Sequence, residues 1–407
     1  MKKYTRLKLA CYTSNISMSA VANLPPLLFI TFRKAYGISY SLLGLLVLIN
    51  FLTQLIIDLI FSFFSHKFNI PKTVKFMPLL TIIGLAVFGI WPYCSPNTAY
   101  VGLFIGTVLF SVSAGLCEVL ISPIIAAIPA ENPDREMSKL HSIYAWGVVF
   151  VVLFSTLYLG LAGHDNWQYL PILFLIIPFS SFLLYRTKDI PHMSSPEKSS
   201  DAAKFLKNKT VWCCVGAIFL GGATECTMSQ WCSGYLEQAL GINKIWGDIF
   251  GVALFAVMLG LGRTLYAKFG KNISRVLFLG ALGAVVCYIT VSLCPMPVVC
   301  LFACAFTGFC ASMLWPGCLI VASDRFPKGG VLIFALMAAG GDLGASVGPQ
   351  LIGIVADTTL SNPFFIRVAD SMQLAPDQLG LKAGLLIASL FPILSLPIYN
   401  SFKNRTK

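Results

Sequence analysis

Charge is what this sequence has least of. Only 11% of its 407 residues are Asp, Glu, Lys or Arg, less than half of the roughly 25% that soluble globular chains carry. A water-soluble enzyme is excluded on that ground. Histidine is nearly absent, with 4 copies, and no His-Glu-x-x-His run exists, so a zinc hydrolase is not expected. The 13 cysteines fall almost entirely inside apolar stretches, without a Cys-x-x-Cys pair or a Cys/His cluster. Cysteine so placed behaves as a small hydrophobe; no metal, cofactor or structural disulfide is expected. No cleavable leader is expected either. Met1-Lys-Lys-Tyr-Thr-Arg-Leu-Lys8 is basic, but the segment behind it carries Asn15, Ser17, Ser19, Asn23, Pro25 and Pro26 and no small-residue cleavage site. It reads as a retained first span.

What is there is hydrophobic: 57% of the residues, with a mean hydropathy of +0.79. The apolar residues come in blocks of about 20, long enough to cross the hydrocarbon layer as helices. We place twelve spans, at 9–32, 38–65, 75–93, 98–128, 140–163, 167–185, 210–236, 246–268, 275–294, 297–322, 329–356 and 379–402. With the N-terminus inside, alternate loops put 23 Lys and Arg on the inner side. Five lie outside (Arg33, Lys34, Lys244, Arg367, Lys382), and Arg263 falls within a span. That bias predicts a multi-pass protein of the plasma (inner) membrane with both termini in the cytoplasm. The net charge of +12 follows from this topology, and no nucleic-acid partner is expected.

The polar, Ser/Pro-rich stretch 186–209 separates six spans from six. It divides the chain into an N-terminal bundle (1–185), a cytoplasmic linker (186–209) and a C-terminal bundle (210–407). The halves echo each other: Gly115-x-Cys117-x5-Pro123 and Gly308-x-Cys310-x5-Pro316 stand 193 residues apart, and the same offset carries Gly147 onto Gly340. The expected fold is therefore an all-α polytopic membrane protein of twelve transmembrane helices in two pseudo-symmetric six-helix bundles, monomeric in its bilayer. Repeated bundles are the architecture of secondary transporters.

An ionisable side chain at mid-membrane costs at least about 2.5 kcal/mol, so each one asks for a reason. The candidates are Asp58, Glu118, His141, Glu225, Arg263 and Asp342. Glu118 shares a helical stripe with Ser111, Gly115 and Ser122. Asp58 has Gln54 and Asn50 one and two turns before it, and Asn15, Ser19 and Asn23 are likewise spaced by four. Glu225, Ser229 and Ser233 form a further stripe, flanked by Gln230 and Trp231; carboxylate, amide and aromatic plate are the groups a sugar-like ligand needs. Tyr144, Trp146 and Trp315 are additional aromatic candidates. Proton coupling is assigned to Glu118, Glu225, Asp342 and Asp58. Solute binding is assigned to Asn23, Asn50, Gln54, Glu118, Tyr144, Trp146, Glu225, Gln230, Trp231 and Trp315. The plainer alternatives are structural ion pairs for the acids and helix packing for the rest. Gly340, Gly344 and Gly348 read as packing, and Arg263 as a partner for an acid or a snorkelling surface cation.

These residues carry a resemblance. The twelve spans, six-plus-six symmetry and basic central loop resemble the major facilitator superfamily. Gly115-Leu-Cys-Glu-Val-Leu-Ile-Ser-Pro123, Trp315-Pro-Gly317 and Gly340-Gly-Asp-Leu-Gly344 with Gly348-Pro349 are most similar to its fucose-permease-like branch of sugar:proton symporters. The resemblance implies that Glu118 stands where that branch has a proton-coupling glutamate. The branch's first-span acid has no counterpart, only Asn15 and Asn23. The superfamily's loop motif is degraded, with Ser62 for its first Gly and His66 for its Asp; Lys268-Phe-Gly270-Lys271 keeps the basic core after the eighth span, with Ala267 for Asp.

The expected function is secondary active transport by alternating access, most simply proton-coupled uptake of a sugar or sugar derivative. The partners are then a small-molecule solute, protons and the lipid bilayer. The alternative is a proton-driven exporter of drugs or amphiphilic lipids, against which the fifth span, Trp146-Gly-Val-Val-Phe-Val-Val-Leu-Phe-Ser155, lacks a Gly-Pro pair. No enzyme is expected: the Gly-x-Gly-Asp pattern of intramembrane aspartyl proteases fails at Ala339.

Overall fold

The computed structural model describes residues 4–64, 67–129, 133–186, 190–191, 208–326 and 330–403. All regular structure among them is helical. The first half holds α1 (Thr5–Leu27), α2 (Phe29–Tyr36), α3 (Tyr40–Phe64), α4 (Ile70–Cys94), α5 (Ala99–Ala127), α6 (Pro133–Ala162), α7 (Tyr169–Phe174) and α8 (Ile176–Leu184). The second holds α9 (Lys209–Gln238), α10 (Leu254–Phe269), α11 (Ile273–Leu293), α12 (Pro297–Ala311), α13 (Leu314–Arg325), α14 (Gly330–Ser361), α15 (Pro363–Ser371), α16 (Pro376–Ala388) and α17 (Leu390–Lys403). Nine stretches among the described residues are long and apolar enough to cross a membrane, and α1 with α2, bent by 49°, makes a tenth. The shorter apolar pair α7–α8 and the 32-residue α14 complete the twelve spans expected from sequence.

The breaks have chemical causes. Proline has no N–H to give the carbonyl four residues earlier. Pro25 and Pro26 end α1, where the Leu28 N–H turns back to the Pro25 carbonyl at 3.0 Å. Pro316 leaves the Ser312 carbonyl without a helical donor, and α12 gives way to α13 at that point.

The chain divides into two compact units, Met1–Thr31 with Leu52–Lys198 and Phe32–Phe51 with Ser199–Lys407. The stretch 32–51 thus groups with the second unit, away from the 1–185 bundle in which sequence reasoning placed it. Most of the 186–209 linker lies outside the described residues. The first core packs Leu7, Val74, Ile121 and Ile124 around the buried Tyr185. The second packs Val211, Ile218, Leu277 and Leu314 around Tyr399 and Phe402, with the Tyr399 hydroxyl donating to the Ala217 carbonyl at 3.0 Å. Such phenols need a polar partner when buried.

The internal repeat reappears as packing. A Cβ on Gly115 would lie 3.1 Å from the Gln54 Cα, and one on Gly308 3.0 Å from the Phe255 carbonyl carbon. The motif glycine therefore seats α5 against α3 in the first unit and α12 against α10 in the second. In the same way Gly147 abuts Ser19 of α1, and Gly340 abuts Val215 of α9.

Residues 32–51 are held to the second unit by a polar clasp. Asp357 of α14 caps the first turn of α3, accepting the Tyr40 N–H on Oδ1 at 3.0 Å and the Ser41 N–H on Oδ2 at 2.7 Å. Asp377 Oδ2 accepts from the Tyr40 hydroxyl at 3.1 Å, and from Arg33 and Gln238 at 3.3 Å each. The Arg33 guanidinium lies 4.0 Å over the Tyr40 ring. A helix start left without its cap loses about 1–2 kcal/mol. Asp357→Ala should therefore lower the unfolding midpoint in detergent by the equivalent of about 1–2 kcal/mol, with Asp357→Asn intermediate.

At the start of α1, Lys8 Nζ lies 2.8 Å from Glu136, which also accepts from the Tyr12 hydroxyl at 3.1 Å. The Lys8 hydrogen bond, aided by the Tyr12 hydroxyl and the Lys8 and Lys139 charges, holds the Glu136 carboxyl below its ordinary value of 4.5. A depressed carboxyl stabilises the fold above its unfolded value and loses that contribution as pH falls through the folded one. The midpoint gap between the wild type and Glu136→Gln should be present at pH 7 and close below pH 4.5. Being half-exposed, the pair should give a gap under about 1 kcal/mol.

Candidate functional site

The first unit brings two of the predicted acids together. Gly115 lets α5 approach α3 beside Gln54 and Ile57; one turn further along both helices stand Glu118 and Asp58. Each carboxylate places an oxygen within 4.8 Å of the other. Asp58 is buried and Glu118 exposed, so the pair has one face in the packing and one face open. Gln54 is buried one turn before Asp58, and Ser111 is buried on the stripe of Glu118. Nothing in the spacing along either helix specified this meeting; it comes from the close approach that the glycine allows.

In the second unit Glu225 and Arg263 pair across α9 and α10. Arg263 Nη2 lies 3.2 Å from Glu225 Oε1 and 3.4 Å from Oε2. Its Nε donates to the Ser312 carbonyl at 3.1 Å, the acceptor that Pro316 leaves without a helical donor. The repeat motif thus supplies the fixed point that orients the guanidinium. Trp315, next along from that break, lays its ring on Gly341 and Gly222. Asp342 is buried on α14, and Gly340, Gly344 and Gly348 seat that helix against α9 as expected.

Several predicted solute ligands are otherwise engaged. The Trp231 indole N–H donates to the Pro349 carbonyl at 2.8 Å, and its ring packs 5.9 Å from that of Tyr40. At 1% exposure it is a packing residue in this conformation. Asn23 donates its amide to the Ser19 carbonyl one turn earlier at 2.8 Å. Trp146 is 69% exposed, a degree that suits lipid contact better than a pocket wall. Tyr144 is half-buried, Asn50 and Gln230 are buried in the packing, and the side chain of His141 lies outside the described residues.

Two polar groups escaped the sequence reading. One is the Asp357–Asp377 clasp. The other is a buried ion pair: Lys244 Nζ lies 3.1 Å from Asp248 Oδ2 and donates to the Ser233 hydroxyl at 2.7 Å. Asp248 opens a π-helical turn, Asp248–Ala253, a feature that often marks functional positions. Lys244 reads as a loop residue in the sequence, since a four-residue spacing to Asp248 reveals neither its burial nor Ser233.

The sequence profile described as Major Facilitator Superfamily matches residues 10–349. No curated protein sequence matches. The fold is similar to that of a bacterial homolog of the human lysosomal transporter Spinster, at 15% identity and a TM-score of 0.73 over 99% of this chain and 97% of that one. A D-xylose–proton symporter is similar at 17% identity and 0.68, covering 98% and 99%. The E. coli fucose:proton symporter follows at 14% and 0.58, covering 97% and 99%. Identities this low establish the fold alone, so the individual side chains are assigned from their own geometry. If Trp231 packs rather than binds solute, Trp231→Phe should lower the unfolding midpoint through the lost hydrogen bond, worth about 1 kcal/mol, and leave the KM for uptake unchanged.

Proposed function

The chain belongs to the major facilitator superfamily and is a transporter, not an enzyme; on that premise we propose that it carries a small polar solute together with protons by alternating access. The observation that carries this reading is the Asp58–Glu118 pair. Two charges within 4.8 Å of each other repel by at least roughly 3.5 kcal/mol at an effective dielectric of about 20. Closing both into a dry site as anions adds their desolvation. One proton shared by the pair removes the repulsion and half of that cost. A carboxylate pair with one buried and one open member is thus a means of making closure depend on a proton. Glu225 has a different task, since Arg263 already balances its charge.

The solute class we favour is a sugar or sugar derivative, supported by the resemblance of the Gly115–Pro123 and Gly340–Pro349 stretches to fucose-permease-like symporters. Uptake across the plasma membrane, with both termini in the cytoplasm, is supported by the Lys/Arg asymmetry of the loops. On this reading Gln54 and Trp315 remain solute contacts, and Glu118 and Asp58 carry the proton. The test is reconstitution into proteoliposomes under an imposed inward proton gradient, with labelled monosaccharides and sugar acids. Glu118→Gln should abolish gradient-driven accumulation while counterflow exchange persists. Accumulation that ignores both the gradient and the substitution would return Glu118 to a structural role.

A further inference from the structure

The Arg263–Glu225 pair is built unlike a structural salt bridge. Its contacts, at 3.2 and 3.4 Å, are longer than the 2.7–2.9 Å of charge-assisted bonds. The two partners are unequally covered: the Arg263 side chain is 44% exposed and that of Glu225 15%. Nε is fixed on the Ser312 carbonyl and Nη2 faces Glu225, which leaves the two N–H groups of Nη1 without an acceptor among the described residues. One turn before Arg263, a Cβ on Gly260 would meet nothing within 4 Å. An oriented, half-exposed guanidinium with a free edge stands beside open space within an apolar span.

We propose that Arg263 is the anchor for a carboxylate on the transported solute, and that Glu225 is its resident counter-ion, displaced when that carboxylate arrives. This rests on the solute-transport reading and narrows it to acidic solutes such as sugar acids. Guanidinium is suited to the task because its planar fork takes a carboxylate through two parallel N–H bonds. Glu225 keeps the buried side of the guanidinium neutralised while the site is empty. On displacement it takes up a proton from the aqueous side, and it gives that proton back when the ion pair re-forms. Arg263 is the charged group that pairs with Glu225.

The experiment compares galacturonate and glucuronate with neutral galactose and fucose in the same proteoliposomes, using wild type, Arg263→Gln, Arg263→Lys and Glu225→Gln. The expected result is uronate uptake that outcompetes the neutral sugars. Its affinity should fall at least tenfold in Arg263→Gln, recover in part in Arg263→Lys, and be held or improved in Glu225→Gln, where the competing carboxylate is gone. Arg263→Lys also guards against simple misfolding. Uptake of neutral sugars without uronates, or uronate uptake indifferent to Arg263→Gln, overturns the anchor and leaves the transport reading standing. No uptake of either class overturns both. Repeating the series in vesicles with and without anionic phospholipid separates a lipid phosphate from the solute. If wild type in purely zwitterionic vesicles behaves as Arg263→Gln does, the guanidinium serves headgroups and the proposal fails.

Discussion

A charge taken out of water costs free energy unless it is balanced, and the arrangement of this protein follows from the ways it meets that constraint. Arg263 and Glu225 meet it by pairing. Lys244 and Asp248 do so by pairing under cover with Ser233 as a third member. Asp357 lies on backbone N–H groups at the start of a helix, where the aligned peptide dipoles favour an anion. Asp58 and Glu118 are the exception, two acids facing each other within 4.8 Å. A like-charged pair is the arrangement that a passing proton changes most.

Proline and glycine set the positions at which these solutions become possible. Gly115 and Gly308, equivalent in the repeat, hold paired helices close in both units. In the first unit the close approach brings Glu118 to Asp58. In the second, Pro316 opens a carbonyl that Arg263 takes. The same motif thus underlies two different sites, one made of acids and one of an ion pair. The divergence extends to the helix itself: Pro123 sits inside the continuous α5, whereas Pro316 stands where α12 gives way to α13.

How much of this was legible in the sequence depends on whether the signal runs along one helix or between two. Spans, the repeat and the packing role of Gly340, Gly344 and Gly348 run along helices and could be read from hydropathy and spacing. The Asp58–Glu118 contact joins two helices, and spacing carries no distance between them. Trp231 shows the same limit: spacing gives its helical face, while the acceptor of its indole N–H, the Pro349 carbonyl, stands on another helix. Nothing along α9 marks that partner, and a proline frees the carbonyl four residues before it rather than its own. Asp357 left no local trace at all, because a cap is sought within a few residues of a helix start.

That distant cap makes the first turn of α3 conditional. Most helices carry their N-terminal acceptor in their own chain neighbourhood and keep it whatever their neighbours do. Here the acceptor for the Tyr40 amide is 317 residues away in sequence. Any state in which α14 drew back from α3 would leave the Tyr40 and Ser41 amides to water, and the opening turn would fray. Hydrogen exchange at two backbone positions is therefore a local clock for a long-range contact, written in the helix itself rather than in any side chain.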